Sequence, residues 1–355
     1  MHRLMAGVAI LEHELSELRL LVERQAGILL DCPNSALSAH VAEYLESQEL
    51  DSAATLLGRF RASDQDPSLL PHFLDGVLNV KTGFFRHPGA MSALAQYVAP
   101  QLCARKSDDG LCTLRIWSAG CATGEEAYSI AMALCELVPG GNGNGSAGAA
   151  TNGNGTKEKP PAGRNGGIEA SAATPSAPTR DWSIHIVGTD LLPSSIEVAE
   201  RGLYPQSALA GLPPANIRAC FSKIGNASGG PTNGSNGAAP NGTNNNPAPP
   251  EANSAHLLVK PRLRSLVTFN TMNLTKPVYI GRFDCIFCMD VLPHLSRTQR
   301  SALLERLHLY LEPGGYLFLS QTEKLSAPNL NFRSETFDGY TVYRKPLAAS
   351  AAYGR

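Results

Sequence analysis

No stretch of this chain approaches the ~20 consecutive apolar residues needed to cross a bilayer. An excess of one charge is missing too. The 30 Lys and Arg stand against 31 Asp and Glu, which excludes the electrostatic footprint of a nucleic-acid or membrane-surface binder. The start lacks the pattern of a secretory leader: MHRLMAGVAILEHELSELRLL spaces acidic residues through its apolar ones and reads as an amphipathic helix. The expected location is therefore cytoplasmic. Asn-x-Ser/Thr triplets at Asn144, Asn154, Asn226, Asn233 and Asn241 then count as accidents of an Asn-rich composition. The eight cysteines are scattered singly except for Cys285-x-x-Cys288, with no second pair or His cluster nearby to complete a zinc site. They read as ordinary buried thiols, and no metal is expected.

What the chain does have is length and apolar content. Its 355 residues, 43% hydrophobic, exceed one domain of ~100–200 residues and suffice for a large core. Two stretches break the globular pattern: 139–179 and 225–255 are built from Gly, Asn, Ala, Pro, Ser and Thr. Such segments bury too little apolar surface to offset their ordering entropy and read as flexible insertions. Three blocks remain. Residues 1–78 are helical in pattern and are expected to form an N-terminal domain. Residues 79–224 hold strands at Leu114–Ser118 and Ile184–Gly188 and a helix from Glu125 to Val138. Residues 256–345 add strands at Leu266–Asn270, Asp284–Cys288, Tyr316–Ser320 and Tyr340–Arg344, with a helix over Thr298–Leu311. This alternation predicts an α/β fold, a doubly wound and mostly parallel sheet covered on both faces, over 79–345. Residues 346–355 are left as a tail.

The strongest local signal is LRIWSAGCATGEEAYSIAMAL, residues 114–134. An apolar strand runs into Gly120-x-x-x-Gly124 and a helix follows at once. Glycines are needed where backbone turns sharply and approaches a ligand closely. Thr123 and Glu126 have the spacing of a capping box. Asp190 sits just past the next strand, where a carboxylate can hold both ribose hydroxyls of a nucleoside-type cofactor. It lies 66 residues beyond Gly124, but setting aside the 41 residues of 139–179 leaves 25, near the usual ~20. Dinucleotide folds place G-x-G-x-x-G here, with helix N–H groups facing a pyrophosphate. This loop has no G-x-G and is followed by Glu125 and Glu126. Two carboxylates would repel a pyrophosphate and suit the cationic end of S-adenosylmethionine. Methyl transfer is therefore expected over hydride transfer.

At this point the residues resemble a family. NVKTGFFR (79–86), WSAGCATGEEAYSIAMAL (117–134), GTDLLPSSIEVAERGLY (188–204), FDCIFCMDVLPHLS (283–296) and LEPGGYLFLSQTE (311–323) look like CheR, the methyltransferases that act on glutamate side chains of chemotaxis receptors. The resemblance implies a class I, Rossmann-like methyltransferase that uses S-adenosylmethionine and releases S-adenosylhomocysteine. It implies a substrate protein as partner, the cytoplasmic helical bundle of a chemoreceptor. Position by position, it puts Thr82 and Arg86 at the active site, with Arg86 near the reacting methyl and the incoming carboxylate. Gly120 and one or both of Glu125 and Glu126 would contact the amino-acid end of the cofactor, and Asp190 the ribose. Asn273 and Leu274 would flank the adenine. Cys288 and Met289 would line the pocket, with Asp290 beside them.

Two departures stand out. Where the family usually reads C-R-N-V-x-I-Y-F-D, this chain has Cys288-Met289-Asp290-Val291-Leu292-Pro293-His294-Leu295-Ser296. His294 is thus a candidate to replace a tyrosine hydroxyl as a catalytic contact. The second N-terminal helix is typically basic in the family, whereas residues 31–60 carry Asp31, Glu43, Glu46, Glu49 and Asp51 against Arg59. The second insertion also falls where the family has a small β-subdomain used for receptor docking. Two alternatives stay open: a related methyltransferase with another protein or small-molecule substrate, and a non-catalytic module that binds the cofactor or its product. The insertions generate a first test. Replacing 140–178 and 226–253 with short Gly-Ser links should leave the thermal melting temperature close to that of the parent, since loop-closure cost grows only logarithmically. Insoluble protein, or a melt without cooperativity, would show that these segments pack.

Overall fold

The computed structural model describes residues 10–62, 68–78, 81–108, 110, 112–135, 182–224, 256–325 and 329–347. Both low-complexity stretches lie outside the described residues. So do residues 136–138, the predicted end of the helix that starts at Glu125.

The chain opens with four helices, α1 (Glu12–Ala26), α2 (Asn34–Ser47), α3 (Ala53–Arg61) and α4 (Leu69–Val77). Leu15, Leu18 and Val22 recur at helical spacing along α1 and are buried with Leu37, Val41 and Leu45 of α2, Phe60 of α3 and Phe73 of α4. Gly27 ends α1 in the left-handed region at φ 73°. Next come α5 (Pro88–Ala93), a π-helical turn (Leu94–Val98) and α6 (Ala99–Asp108). The strand–helix alternation then begins with β1 (Thr113–Ala119), α7 (Glu125–Leu134), β2 (Ser183–Asp190) and α8 (Pro193–Arg201). After β3 (Leu203–Pro205), α9 (Pro214–Cys220), β4 (Phe221–Lys223), β5 (His256–Val259) and α10 (Pro261–Arg264) comes β6 (Val267–Thr271). The chain finishes with β7 (Phe283–Phe287), α11 (Arg297–Tyr310), β8 (Leu311–Phe318), β9 (Arg333–Phe337) and β10 (Tyr340–Arg344).

Seven strands form the main sheet in the order β6-β2-β1-β7-β8-β10-β9. The first five are parallel, and β10 and β9 add an antiparallel edge. Sequence order runs outward from β1 through β2 to β6, then restarts at β7 on the other side of β1. That reversal is the switch point of a doubly wound sheet, and ligands bind outside the carboxyl ends of the strands there. Helices cover both faces. One core gathers Leu94, Leu102, Tyr128, Ile130 and Phe287. The other packs Trp117, Ile286 and Cys288 against Leu303, Leu304 and Leu307 of α11.

The main parallel strands stand where expected, within a few residues. One feature was not foreseen, and another stands where the resemblance implied a small β-subdomain. β9 joins β10 through Asp338-Gly339, both at positive φ (47° and 79°), a two-residue hairpin turn. β3, β5 and β4 form a second, antiparallel sheet of three short strands. The 225–255 insertion falls between its strands β4 and β5.

A buried ion pair crosses the sheet near its amino-terminal end. Asp284 of β7 is 1% exposed, and its Oδ2 accepts from Lys106 Nζ at 2.7 Å and from Arg115 N at 2.9 Å. Its Oδ1 has no hydrogen-bond partner in the described structure. Lys106→Ala would leave that carboxylate buried and short of its counter-ion. Chemical denaturation should register a loss of ~3–5 kcal/mol. A loss under ~1 kcal/mol would mean that water replaces the ammonium without cost.

Candidate active site

A cavity of about 510 Å³ opens at the carboxyl ends of β1, β2, β6 and β7, a size typical of small-molecule sites. It is lined by Gly120 after β1, Asp190 at the end of β2, Met272, Asn273 and Leu274 after β6, and Met289 and Asp290 after β7. Of the residues that the sequence nominated, Thr82, Arg86, Glu126 and His294 also line it, whereas Glu125 and Cys288 do not.

The glycine turn is shaped by contact. Gly120 has φ 86°, and a Cβ on it would come within 2.5 Å of Val291. Gly124 has φ 94°, with Ala199 2.8 Å from where its Cβ would be. Both positions therefore exclude side chains. The expected capping box does not form. Gly124 itself stands at the head of α7 in the left-handed region. Thr123 Oγ1 instead donates to Glu125 Oε2 at 2.6 Å, while Glu126 Oε1 accepts from Ser118 Oγ at 2.7 Å.

The two glutamates thus divide. Glu125 is buried, takes Thr82 Oγ1 at 3.3 Å, and does not line the cavity; it supports Thr82 from behind. Glu126 does line the cavity, and its pKa is pushed up to about 7. Burial is the main cause, with Asp290 and Glu323 adding repulsion against the opposing hydrogen bond from Ser118. Asp190 accepts from Ala122 N at 2.9 Å on one oxygen and Leu192 N at 3.0 Å on the other. Burial raises its pKa, against the pull of these backbone donors. Each of its oxygens keeps a lone pair for a ribose hydroxyl.

Cys288 needs correction. It is fully buried among Trp117, Leu292 and the α11 leucines, on the face of the sheet away from the cavity. Alternation along an extended chain explains this: its neighbour Met289 takes the cavity side. The Cys288 thiol is pushed well above its ordinary pKa by burial. Among the described residues all eight cysteines are free, and no group of three or more His, Cys, Asp or Glu is arranged to hold a metal ion.

Phe84 and Phe85 anchor the segment that carries Arg86. Phe84 packs edge-on against Tyr204 and Phe221, and Phe85, at φ 51°, donates its N–H to Ser129 Oγ at 2.9 Å. Arg86 Nε and His87 Nε2 both meet Asp290 Oδ2, at 3.2 and 3.0 Å. Burial alone would raise the Asp290 pKa, but Ser320, His87 and Arg86 outweigh it and hold the carboxyl below its ordinary value.

His87, Ser118 and Glu323 were missed by sequence reasoning. Glu323, 8% exposed, accepts from the N–H groups of Ser320, Asp290 and Leu292 at 2.9, 3.2 and 3.0 Å. The α1–α2 connection was missed as well. Ala26 and Ile28 line the cavity, Leu29 N donates to His294 O at 2.8 Å, and Thr275 Oγ1 donates to Ala26 O at 3.0 Å. Adjacency of His87 to Arg86 was the one sequence clue; the rest depends on contacts distant along the chain.

A doubly wound sheet with a carboxylate-rich cavity at its switch point defines a class I, S-adenosylmethionine-dependent methyltransferase. The model of the CheR methyltransferase, SAM binding domain, matches residues 80–148 and 249–340. The chain is 28% identical to chemotaxis protein methyltransferase 1 of Pseudomonas aeruginosa, over 87% of this chain and 89% of that one. It is 25% identical to the chemotaxis protein methyltransferase of Vibrio parahaemolyticus, over 96% of this chain and 99% of that one. The chain thus carries a CheR-type S-adenosylmethionine-binding domain and is similar to chemotaxis protein methyltransferases along most of its length.

The residues present fit the cofactor: a sharp glycine turn at the cavity edge, and a cavity carboxylate, Glu126, whose pKa of about 7 lets it ionise near neutrality. If Glu126 meets the cofactor's ammonium group, it must ionise on binding. Below its pKa of about 7, binding then releases a proton, and affinity for S-adenosylhomocysteine should rise up to ~10-fold per pH unit as pH climbs toward 7. Calorimetry between about pH 5.5 and 7 checks this, and Glu126→Gln should flatten the dependence. An equal slope in the variant would remove Glu126 from the ammonium site.

Proposed function

We propose that this enzyme forms γ-methyl esters on glutamate side chains of a chemoreceptor-like protein, acting on its cytoplasmic helical bundle. The observation that carries the reading is Arg86, a guanidinium held at the cavity wall by packed phenylalanines on one side and Asp290 on the other. The names of the relatives point to methyl transfer in chemotaxis, and the resemblance to CheR suggests a receptor carboxylate as the acceptor.

The cofactor supplies an electrophilic methyl group on a sulfonium. A carboxylate acceptor needs no general base, because it has no proton to lose. The tasks left to the protein are alignment and partial exclusion of water. Arg86 orients the acceptor through its N–H groups. Thr82, supported by Glu125, stands on the same wall, and His294 offers a further polar contact from the opposite loop. Gly120 and Glu126 take the amino-acid end of the cofactor, Asp190 the ribose, Asn273 and Leu274 the adenine. In this reading residues 1–78 form a helical N-terminal domain, 79–345 the methyl-transfer domain, and 346–355 a tail.

A second reading, another protein as acceptor, is favoured by one observation. Glu43 and Glu46 of α2, with Glu49 and Asp51 just beyond it, are all exposed. An acidic surface gives no long-range attraction for an acidic receptor bundle.

Transfer of radiolabelled methyl to receptor cytoplasmic fragments, released as volatile label by base, tests the ester. Label that resists base would point to another acceptor atom. Arg86→Ala should cut single-turnover methyl transfer by ~100-fold or more, while S-adenosylhomocysteine affinity falls much less. Turnover near the parental value in that variant would sink the role of Arg86.

A further inference from the structure

Asp290 is the most constrained charged residue on the cavity wall. A non-glycine residue at φ 57° is uncommon and needs outside support. Glu323 provides it by accepting from the N–H of Asp290 and of Leu292 two residues on. One oxygen of Asp290 then receives both Arg86 Nε and His87 Nε2, and all three side chains line the cavity. The two terminal nitrogens of Arg86 have no hydrogen-bond partner among the described residues. A guanidinium offers donors along its Nε side and at its end, and only the Nε side is engaged.

We infer that Asp290 is a positioning residue: it holds Arg86 by Nε and braces His87, so that the end-on edge of the guanidinium faces the acceptor carboxylate. The inference rests on the carboxylate reading of the acceptor. Where the family pattern has asparagine, this chain places a full negative charge. An anion beside the guanidinium offsets its charge. The acceptor is then oriented without being bound so tightly that its ground state is stabilised as much as its transition state. A pair this exposed adds little to folding stability, so its effect should appear in the reaction rather than in the melt. Its held-down pKa keeps the charge in place across the neutral range.

The test uses the full chain with S-adenosylmethionine and a receptor cytoplasmic fragment as acceptor. Asp290→Ala should lower turnover by ~30-fold, with the dissociation constant of S-adenosylhomocysteine changed by less than ~3-fold. Asp290→Asn keeps an accepting oxygen and removes the charge. It should recover most of the lost turnover, about 10-fold over the alanine variant, and should lower the acceptor KM. Turnover at or above the parental value in Asp290→Ala would overturn the proposal and show that Asp290 competes with the acceptor for Arg86. Cofactor affinity falling in step with turnover would overturn it in favour of a cofactor contact. A second arm needs no acceptor. In the protein loaded with S-adenosylhomocysteine, the Arg86 Nε–H signal in nitrogen-15 NMR, assigned by its loss in Arg86→Lys, should shift and exchange faster in Asp290→Ala. An unchanged signal overturns the proposal. If the parent leaves receptor fragments unmethylated, the acceptor reading fails while this arm still decides whether Asp290 holds Arg86.

Discussion

At the carboxyl edge of the sheet, the loops are tied down by side-chain oxygens that accept backbone N–H groups. Asp190 joins the glycine turn to the start of α8 through Ala122 and Leu192. Glu323 joins the ends of β7 and β8 through Asp290, Leu292 and Ser320. Asn273 closes its own turn by accepting from Thr275 N at 2.8 Å, and Thr275 in turn donates to the last turn of α1. Each such N–H, left buried and unmet, would cost ~1–3 kcal/mol. The same bonds hold Ala122, Asp190, Asn273 and Asp290 on the cavity wall, so stability of the edge and geometry of the site are one problem.

That solution concentrates negative charge. Glu126, Asp190 and Asp290 line one cavity with Glu323 bonded just behind Asp290, and burial first, then repulsion from Asp290 and Glu323, lifts the Glu126 pKa to about 7. Backbone donors offset the charge on Asp190 and Glu323, while Arg86 and His87 offset Asp290. Glu126 has only Ser118, a neutral donor. It is the carboxylate with most to gain from a cation, and it lies at the head of α7 beside the glycine turn. A cofactor with an ammonium and a sulfonium suits such a wall; a pyrophosphate does not.

Much of this was legible in the sequence because it is local. Gly120, Gly124 and the strand before them lie within a dozen residues, and Asp190 became readable once the first insertion was set aside. The misreadings came where local rules compete. Thr123 and Glu126 have capping-box spacing, yet burial beside Ser118 gave Glu126 a different partner. Cys288 and Met289 are adjacent, and nothing in the run FDCIFCMDV says which of them faces the cavity. Glu323 lies 33 residues from Asp290 and 31 from Leu292, so its grip on that loop exists only in three dimensions. β3, β4 and β5 run to three or four residues each, too short for an alternating pattern to register. The Asp338-Gly339 turn was the one overlooked signal that sequence chemistry alone could have used.

The cofactor half and the partner half of the molecule differ in how far they keep the family pattern. The glycine turn, Asp190 and NTMNL keep their places around the cavity. The family's basic helix is acidic here, and the insertion 225–255, rich in Gly, Asn, Pro and Ala, falls between β4 and β5 in the sequence. Between these halves lies the loop after β7, where asparagine has become Asp290 and tyrosine His294. Both residues line the cavity, and both are tied to other parts of the chain. His294 hands its carbonyl to Leu29 beyond α1, and Asp290 takes Arg86 and His87. A shift of the helical layer at Leu29 would therefore act first on the loop after β7 rather than on the glycine turn.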